Sequence, residues 1–145
     1  MASEQLKEII FYSLEKAIKT YRQFAQKRLE KAGYKITIDQ WLVLKTLNDD
    51  SEITQRQIGK IVFKDYASIT RIIELLVNKK YITRSFHSQD RRRFSLMVTR
   101  EGKKLLEELQ PVINDNRIIA LKGISKLKIE ELQNELNQII SNCTI

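Results

Sequence analysis

The segment from Ile53 to Thr99 constrains the fold more than any other, because two short helical patterns in it precede a hairpin pattern. Thr54 and Gln57 are spaced as a capping box, in which each side chain satisfies a backbone N–H at a helix start. Asp65 suits the N-cap of a second helix, where the helix dipole favours its negative charge. Helical spacing of the apolar residues then predicts the buried faces. These are Ile58, Ile61 and Val62 in the first helix, and Ile69, Ile72, Ile73 and Leu76 in the second.

The opposite face of the second helix is small and polar near its N-terminus. Small side chains allow a helix to lie deep in the major groove of DNA. Ser68, Thr70 and Arg71 can then contact base edges or phosphates. An ordinary solvated face has the same composition, so this helix alone leaves both interpretations open.

Two strand patterns flank an arginine-rich turn. Residues 81–86 are predicted to form one strand, and Phe94, Leu96 and Val98 alternate with other side chains as in a second strand. The turn between them, residues 87–93, has the sequence HSQDRRR. Adjacent arginines repel one another, and a polyanion such as DNA explains them because each neutralised phosphate releases counterions. A merely solvated charge run is the alternative.

These segments together resemble the MarR-type (multiple antibiotic resistance regulator) transcription factors. Asp90-Arg91-Arg92, followed by Thr99 and Gly102, is similar to the family's D-x-R…L-x-L-T-x-x-G signature, and residues 69–76, ITRIIELL, are similar to its recognition helix. The resemblance implies that Arg92 enters the minor groove at the tip of the wing, and that Asp90 supports the wing turn. The chain departs from the family at Lys80, where glycine is usual, so Asn78 or Lys80 must accept an irregular, left-handed helix end.

Charge and composition exclude several classes of function. The 145 residues carry a formal net charge of +8, which indicates an anionic partner. The only cysteine, Cys143, cannot form an internal disulfide, and with the only histidine, His87, it gives no metal-ligand set. We therefore predict no metal, no cofactor and no enzymatic activity, since no phosphate-binding glycine loop or nucleophile motif is present either. A redox role for Cys143 is a minor hypothesis.

The same sequence argues against a membrane partner. No apolar stretch approaches the length that spans a bilayer, and the N-terminal segment is not a secretory signal, so a cytoplasmic location is predicted. The basic cluster lies on a hairpin and not along one amphipathic helix, which disfavours a membrane surface.

The two flanks of this segment carry long apolar stripes at helical spacing. The first helix is predicted to be capped by Ser3, to run to about Lys31 and to end at Gly33; Thr37 and Gln40 form another capping box. Thr99 fits the N-cap of a long helix that is expected to bend or restart at Pro111, and a last helix is expected to begin near Lys128. Its predicted apolar stripe is Leu132, Leu136, Ile139 and Ile140.

The predicted fold is mostly α with a small β wing: a winged helix-turn-helix with terminal dimerisation helices. Residues 36–101 form its DNA-binding region, while residues 1–35 and 102–145 form its helical dimerisation region, and the two regions are intertwined in one domain. In the family, the terminal helices of two subunits interlock. A two-fold dimer places two recognition helices about one DNA turn apart, roughly 34–36 Å.

The predicted function is sequence-specific binding of double-stranded DNA by a homodimeric transcriptional regulator, a repressor acting on a pseudo-palindromic site. The predicted DNA contacts are Lys64, Ser68, Thr70, Arg71, Arg91, Arg92 and Arg93, with Lys60 as an additional phosphate contact. The resemblance also implies that a small aromatic or phenolic ligand releases the DNA. The predicted lining residues of its binding site are Tyr12, Tyr21, Phe24 and Trp41. The alternative is that these aromatic residues pack in the hydrophobic core and bind no ligand. A winged helix that only binds proteins, or only shapes DNA, is the alternative function.

Overall fold

The computed structural model describes residues 3–86, 89 and 94–145. In these ranges the chain forms six α-helices and one two-stranded antiparallel sheet, which confirms the predicted fold class. A short 3₁₀ turn, Leu6–Glu8, precedes the first helix. The elements are α1 (Ile10–Lys31), α2 (Ile38–Asp49), α3 (Gln55–Val62), α4 (Tyr66–Asn78), β1 (Ile82–Phe86), β2 (Phe94–Val98), α5 (Arg100–Ala120) and α6 (Lys126–Cys143).

Side-chain caps begin four of these helices where the sequence predicts them. The hydroxyls of Thr37 and Thr54 accept the N–H groups of Gln40 and Gln57 at 3.1 and 3.2 Å, and both capping boxes are complete. Asp65 caps α4 and Thr99 caps α5 in the same way. These bonds satisfy backbone donors that a helix start would otherwise leave without partners.

The core lies where α2, α3 and α4 meet the base of the sheet and the first half of α5. Its most deeply buried members include Val43, Leu44, Ile58, Ile69, Ile73, Leu76 and Leu109, each with no exposed surface. The prediction that Ile61 is buried is wrong, because its side chain is 53% exposed. The buried face of α3 is centred on Ile58, Gly59 and Val62 instead. Gly59 belongs to it because the Lys64 carbonyl lies only 2.8 Å from where a Cβ would stand.

Three helix boundaries differ from the sequence predictions. Ile9 is extended and separates the 3₁₀ turn from α1, so Ser3 does not cap a continuous helix. α5 runs unbroken through the exposed Pro111, so no restart occurs. α6 begins at Lys126, before Lys128, because the Ser125 hydroxyl accepts the Lys128 N–H at 3.2 Å.

The terminal helices leave much of their apolar surface uncovered. No residue of α6, all of which is described, is buried, and Leu132 and Ile140 are 48% and 61% exposed. On and next to α1, α5 and α6 the exposed apolar side chains include Leu6, Ile10, Phe11, Ile18, Ile118, Ile119, Ile124 and Leu127. The predicted burial of the α6 stripe is therefore not achieved within one chain. None of the helices in the described ranges is long and apolar enough to cross a membrane.

Candidate nucleic-acid interface

The N-terminus of α4 is held by Asp65. Its carboxylate accepts the backbone N–H of Ser68 at 2.7 Å. Hydrogen bonds from the backbone and then the side chain of Ser68 lower the pKa of Asp65 from its usual 3.8, and the charge of Arg71 acts in the same direction. Asp65 is therefore ionised at neutral pH, where it complements the helix dipole.

Two of the three predicted α4 contacts have their hydroxyls engaged within the protein. The Ser68 hydroxyl acts on the Asp65 carboxylate as a hydrogen-bond donor that lowers its pKa. The Thr70 hydroxyl donates to the Tyr66 carbonyl at 3.0 Å and accepts from the Gln55 side-chain amide at 2.5 Å. Thr70 thus ties α4 to the first residue of α3, which sets the angle between these helices. Arg71 lies exposed on the same helix, with its guanidinium accessible.

The turn between α3 and α4 has a left-handed residue and a paired lysine. Phe63 has φ of 61° and is 91% exposed, which is uncommon for a large side chain. The backbone N–H of Lys64 donates to the Gly59 carbonyl at 2.9 Å, which closes the turn. The Lys64 ammonium lies 3.3 Å from the carboxylate of Asp39 on α2. Lys60, the additional predicted phosphate contact, is exposed on α3.

The base of the hairpin is joined to the end of α4. Lys80 has φ of 67°, and the Tyr81 N–H donates to the Leu76 carbonyl at 3.0 Å, as in a Schellman helix end. The sequence left Asn78 or Lys80 as the irregular position, and it is Lys80. Thr99 then donates its hydroxyl to the Lys80 carbonyl at 2.7 Å and its N–H to the Tyr81 carbonyl at 3.0 Å.

Glycine at position 102 completes this junction. A Cβ there would lie 2.4 Å from the Tyr81 carbonyl oxygen and 2.8 Å from a methyl group of Val98. The Thr99 hydroxyl also accepts the Gly102 N–H at 3.0 Å. The T-x-x-G pattern thus joins the recognition helix, the hairpin and α5 at one point, which explains both of its residues physically.

The sheet itself pairs in simple antiparallel register, from Ile82 opposite Val98 to Phe86 opposite Phe94. Ile82 and Leu96 are buried and anchor the hairpin to the core. The predicted site residues of the turn, Asp90, Arg91, Arg92 and Arg93, lie outside the described residues, as does His87. Their roles stay predictions from the sequence.

Residues 32–93 match the model of the MarR family, and this range runs from the end of α1 through the recognition helix into the hairpin turn. Over these residues the chain is similar to the MarR family of winged helix-turn-helix proteins. The resemblance inferred from residues 69–76 and 90–102 is confirmed.

Similar proteins match this chain over most of its length. HTH-type transcriptional regulator SarZ of Staphylococcus epidermidis is 27% identical over an alignment of 136 residues. The match covers 91% of this chain and 86% of SarZ. A structure of Bordetella bronchiseptica BpsR, described with regulation of its DNA binding by 6-hydroxynicotinic acid, has a TM-score of 0.85. It is 22% identical, over 95% of this chain and 97% of that one. A Staphylococcus aureus MepR–DNA complex has a TM-score of 0.83 at 23% identity, and the match covers 94% of this chain and 99% of that one. These two structures share the fold.

The chain has a cavity of about 200 Å³ between α1, α2 and α5. Of the predicted ligand residues, Tyr21 and Trp41 line it. Tyr21 and Phe24 line a second, more open cavity of about 540 Å³ between α1 and the end of α5. Tyr12 lines neither of these cavities and is 36% exposed. The four aromatic residues are therefore not brought to one site, and the smaller cavity combines two of them with two arginines.

The smaller cavity contains polar groups that the sequence did not single out. Arg22, Arg117 and the buried Asn116 line it together with Tyr21 and Trp41. The side-chain Oδ1 of Asn116 accepts from the Arg28 guanidinium at 2.6 Å, across 88 positions of sequence. Helical periodicity gives no sign of such a distant pairing, and arginines on an amphipathic helix resemble ordinary surface charges. Two guanidinium groups beside an indole and a phenol suit a small aromatic anion.

The described part of the chain contains no cluster of three or more His, Cys, Asp or Glu side chains suited to a metal ion. Cys143 lies exposed at the end of α6.

Proposed function

We propose that this protein is a sequence-specific DNA-binding transcriptional regulator that acts as a homodimer, is not an enzyme and works in the cytoplasm as a repressor. The observation that carries the proposal is the junction at Lys80, Tyr81 and Thr99. It joins an exposed recognition helix to the base of a hairpin whose turn contains three arginines. A net charge of +8 adds long-range attraction for a polyanion.

The proposed contacts divide into base and phosphate contacts. Arg71 is the main candidate for base edges in the major groove, while Ser68 and Thr70 chiefly orient α4 and approach DNA through their exposed sides. The turn arginines, Arg91, Arg92 and Arg93, are proposed to contact the minor groove and phosphates, as the family resemblance implies. Lys64 and Lys60 are proposed phosphate contacts at the helix-turn-helix turn.

The proposed dimer is supported by the uncovered apolar surface of the terminal helices. A single chain leaves α6 without a buried residue, and a second copy supplies the same kind of surface in return. Residues 1–35 and 102–145 are proposed as this dimerisation region, and residues 36–101 as the DNA-binding region. The site on DNA is then pseudo-palindromic, with half-site centres roughly 34–36 Å apart.

A ligand that releases DNA is proposed for the smaller cavity, because a cavity of about 150 Å³ accommodates benzene and this one is about 200 Å³. A single aromatic ring with a carboxylate fits the volume and the two arginines. BpsR, whose DNA binding is described as regulated by 6-hydroxynicotinic acid, is a fold relative with a ligand of this kind.

The DNA-binding proposal is tested by fluorescence anisotropy with duplex DNA from upstream of the protein's own gene and with a random duplex, at two salt concentrations. We expect a nanomolar complex that favours the upstream duplex about a thousandfold, as specific regulators do. Equal, weak affinity for both duplexes would favour an architectural protein, and no affinity at either salt concentration a protein-binding winged helix.

The ligand proposal is tested by titrating the DNA complex with 4-hydroxybenzoate and its uncharged amide, 4-hydroxybenzamide. We expect the carboxylate to weaken DNA binding more than the amide does, because the cavity presents guanidinium groups. An equal effect of the two compounds, or none, would remove this ligand class.

A further inference from the structure

Asp39 forms ion pairs with two cations from different regions of the protein. Its carboxylate accepts a hydrogen bond from the guanidinium of Arg22 on α1 and lies 3.3 Å from the ammonium of Lys64 in the turn between α3 and α4. All three side chains are partly buried, with 38% of Arg22, 31% of Asp39 and 38% of Lys64 exposed. We name Arg22, Asp39 and Lys64 the ion-pair triad.

The two cations of the triad face different sites. Arg22 lines the smaller cavity, next to Trp41 and Tyr21. Lys64 belongs to the helix-turn-helix turn, where a phosphate contact is proposed. One carboxylate cannot neutralise both cations, so a stronger pair with either cation weakens the attraction for the other.

The carboxylate at the centre of the triad is held in place. Asp39 lies in the first turn of α2, where the helix dipole favours its negative charge. The start of α2 is fixed against α1 by Gln26, whose side chain accepts the Ile38 N–H at 3.0 Å and donates to the Ile36 carbonyl at 3.4 Å. The long side chains of Arg22 and Lys64 can therefore move while the carboxylate stays between them.

We propose that Asp39 is a positioning residue that couples the ligand cavity to the DNA-binding face by sharing its charge between Arg22 and Lys64. This inference rests on the proposed function. When Arg22 and Lys64 share Asp39, as they do in this structure, the attraction of Asp39 for Lys64 is weaker, and Lys64 exchanges more readily to a DNA phosphate. When an aromatic carboxylate in the cavity pairs with Arg22, Asp39 pairs with Lys64 alone. Lys64 is then held away from the DNA phosphate, and DNA binding weakens. The ligand thus prefers the arrangement with less DNA affinity, as a regulatory ligand must.

The coupling predicts opposite effects of two substitutions that break the same ion pair, which can be measured without any ligand. Asp39→Asn releases Lys64 and is expected to tighten binding of the upstream duplex roughly 2- to 30-fold, the range of a partly exposed ion pair counted twice in a dimer. Arg22→Gln leaves Lys64 as the only cation of the triad that pairs with Asp39, and is expected to weaken binding of the upstream duplex. A purely structural Arg22–Asp39 pair would give both variants an effect in the same direction.

Matched controls separate the triad from overall charge. Asp49→Asn removes a carboxylate from the same helix, where Asp49 pairs with Lys45 at 2.6 Å, and Lys27→Gln removes an exposed cation from α1. Circular dichroism confirms that each variant is folded. The slope of log affinity against log salt concentration is the second readout. It should steepen by up to about 0.9 for each Lys64 that gains a phosphate in Asp39→Asn, and by less in Asp49→Asn.

The double variants identify Lys64 as the group that acts. In a Lys64→Gln background, neither Asp39→Asn nor Arg22→Gln should change affinity beyond its control. Equal effects of Asp39→Asn and Asp49→Asn in the wild-type background would overturn the coupling and leave the DNA-binding proposal intact. Failure of the wild-type protein to prefer the upstream duplex would instead overturn the proposed function, and the coupling with it.

Discussion

At the scale of single residues, Lys80 shows how a departure from the family pattern is tolerated. It has the left-handed backbone that the family's glycine would adopt without strain, with φ of 67°. For a residue with a Cβ this conformation costs about 1–2 kcal/mol. Two hydrogen bonds offset that cost. The Tyr81 N–H donates to the Leu76 carbonyl, and the Thr99 hydroxyl donates to the carbonyl of Lys80 itself.

Replacing Lys80 with glycine should therefore stabilise the fold. We expect Lys80→Gly to raise the free energy of unfolding by about 0.5–1 kcal/mol, since relief of strain exceeds the added entropy of the unfolded chain. Urea denaturation measures it. Asn78→Gly, two positions earlier in α4, is the control and should lower stability by up to about 1 kcal/mol. A loss of stability in both variants would contradict the left-handed assignment.

A second residue-scale prediction concerns Asp65 and pH. Its pKa is lowered in the folded protein, so its contribution to stability is fully present above the unfolded value of about 3.8 and is lost as the pH falls through the lower folded pKa. Asp65→Ala should unfold at lower urea than the wild type at pH 7, and the difference should shrink below pH 3.8.

Asp65→Asn is the control for this prediction, because it keeps an oxygen acceptor for the Ser68 N–H but carries no charge. The gap in stability between the Asn and Ala variants should not change over the same pH range. A wild-type advantage that persists unchanged at low pH would show that the carboxylate charge is not what stabilises the start of α4.

Residue roles were predictable from sequence where their partners are near in the chain. Thr37, Thr54, Asp65 and Thr99 cap helices through N–H groups three positions away, so the local pattern contains the whole interaction. The triad and the pairing of Arg28 with Asn116 join residues 17 to 88 positions apart, and no local pattern encodes them. The family resemblance singled out the glycine at position 102, but its fit beneath the Tyr81 carbonyl is visible only in the structure.

At the scale of elements, α4 is the part of the molecule on which sequence discrimination should depend. Arg71→Ala is expected to cost about 1–3 kcal/mol of binding to the upstream duplex and to reduce its advantage over random DNA. Anisotropy titrations of both duplexes measure this. Lys104→Ala, which removes an exposed cation from α5, should change both affinities little. Equal losses on both duplexes would make Arg71 a phosphate contact.

The elements themselves were largely predictable, and the exceptions have physical reasons. Periodicity and caps located α2, α3, α4 and both strands because each has one side against the core. The start of α1 was misplaced, since an extended Ile9 interrupts a pattern that remains apolar across the break. The course of α5 and the start of α6 were harder to predict. The exposed Pro111 does not end α5, and Ser125 caps α6 although the family pattern did not suggest a cap there.

At the scale of the whole molecule, α6 should decide whether the protein is a monomer or a dimer. Leu132→Asp combined with Ile140→Asp places charges on its apolar stripe, and we expect the dimer to dissociate to the 17.1 kDa chain in sedimentation experiments. Urea unfolding of the core should remain cooperative, because α6 contributes no buried residue within the described chain.

The control is Asn134→Asp combined with Ser141→Asp, which adds the same charge to exposed positions on the other side of α6. This variant should remain dimeric. Dissociation of both variants would mean that added charge alone disrupts assembly, and a stable dimer in both would move the interface away from α6.

The lack of buried residues in α6 also bears on the order of events during synthesis. Every buried core residue in the described chain lies at or before Asn116, so the core can close on the ribosome before α6 has been translated. Domains generally fold as units in this order, from the N-terminal side. A nascent chain would then carry a finished recognition helix but an unfinished pairing surface. Single-site contacts with the chromosome would be weak and brief until translation of α6 allows two chains to associate.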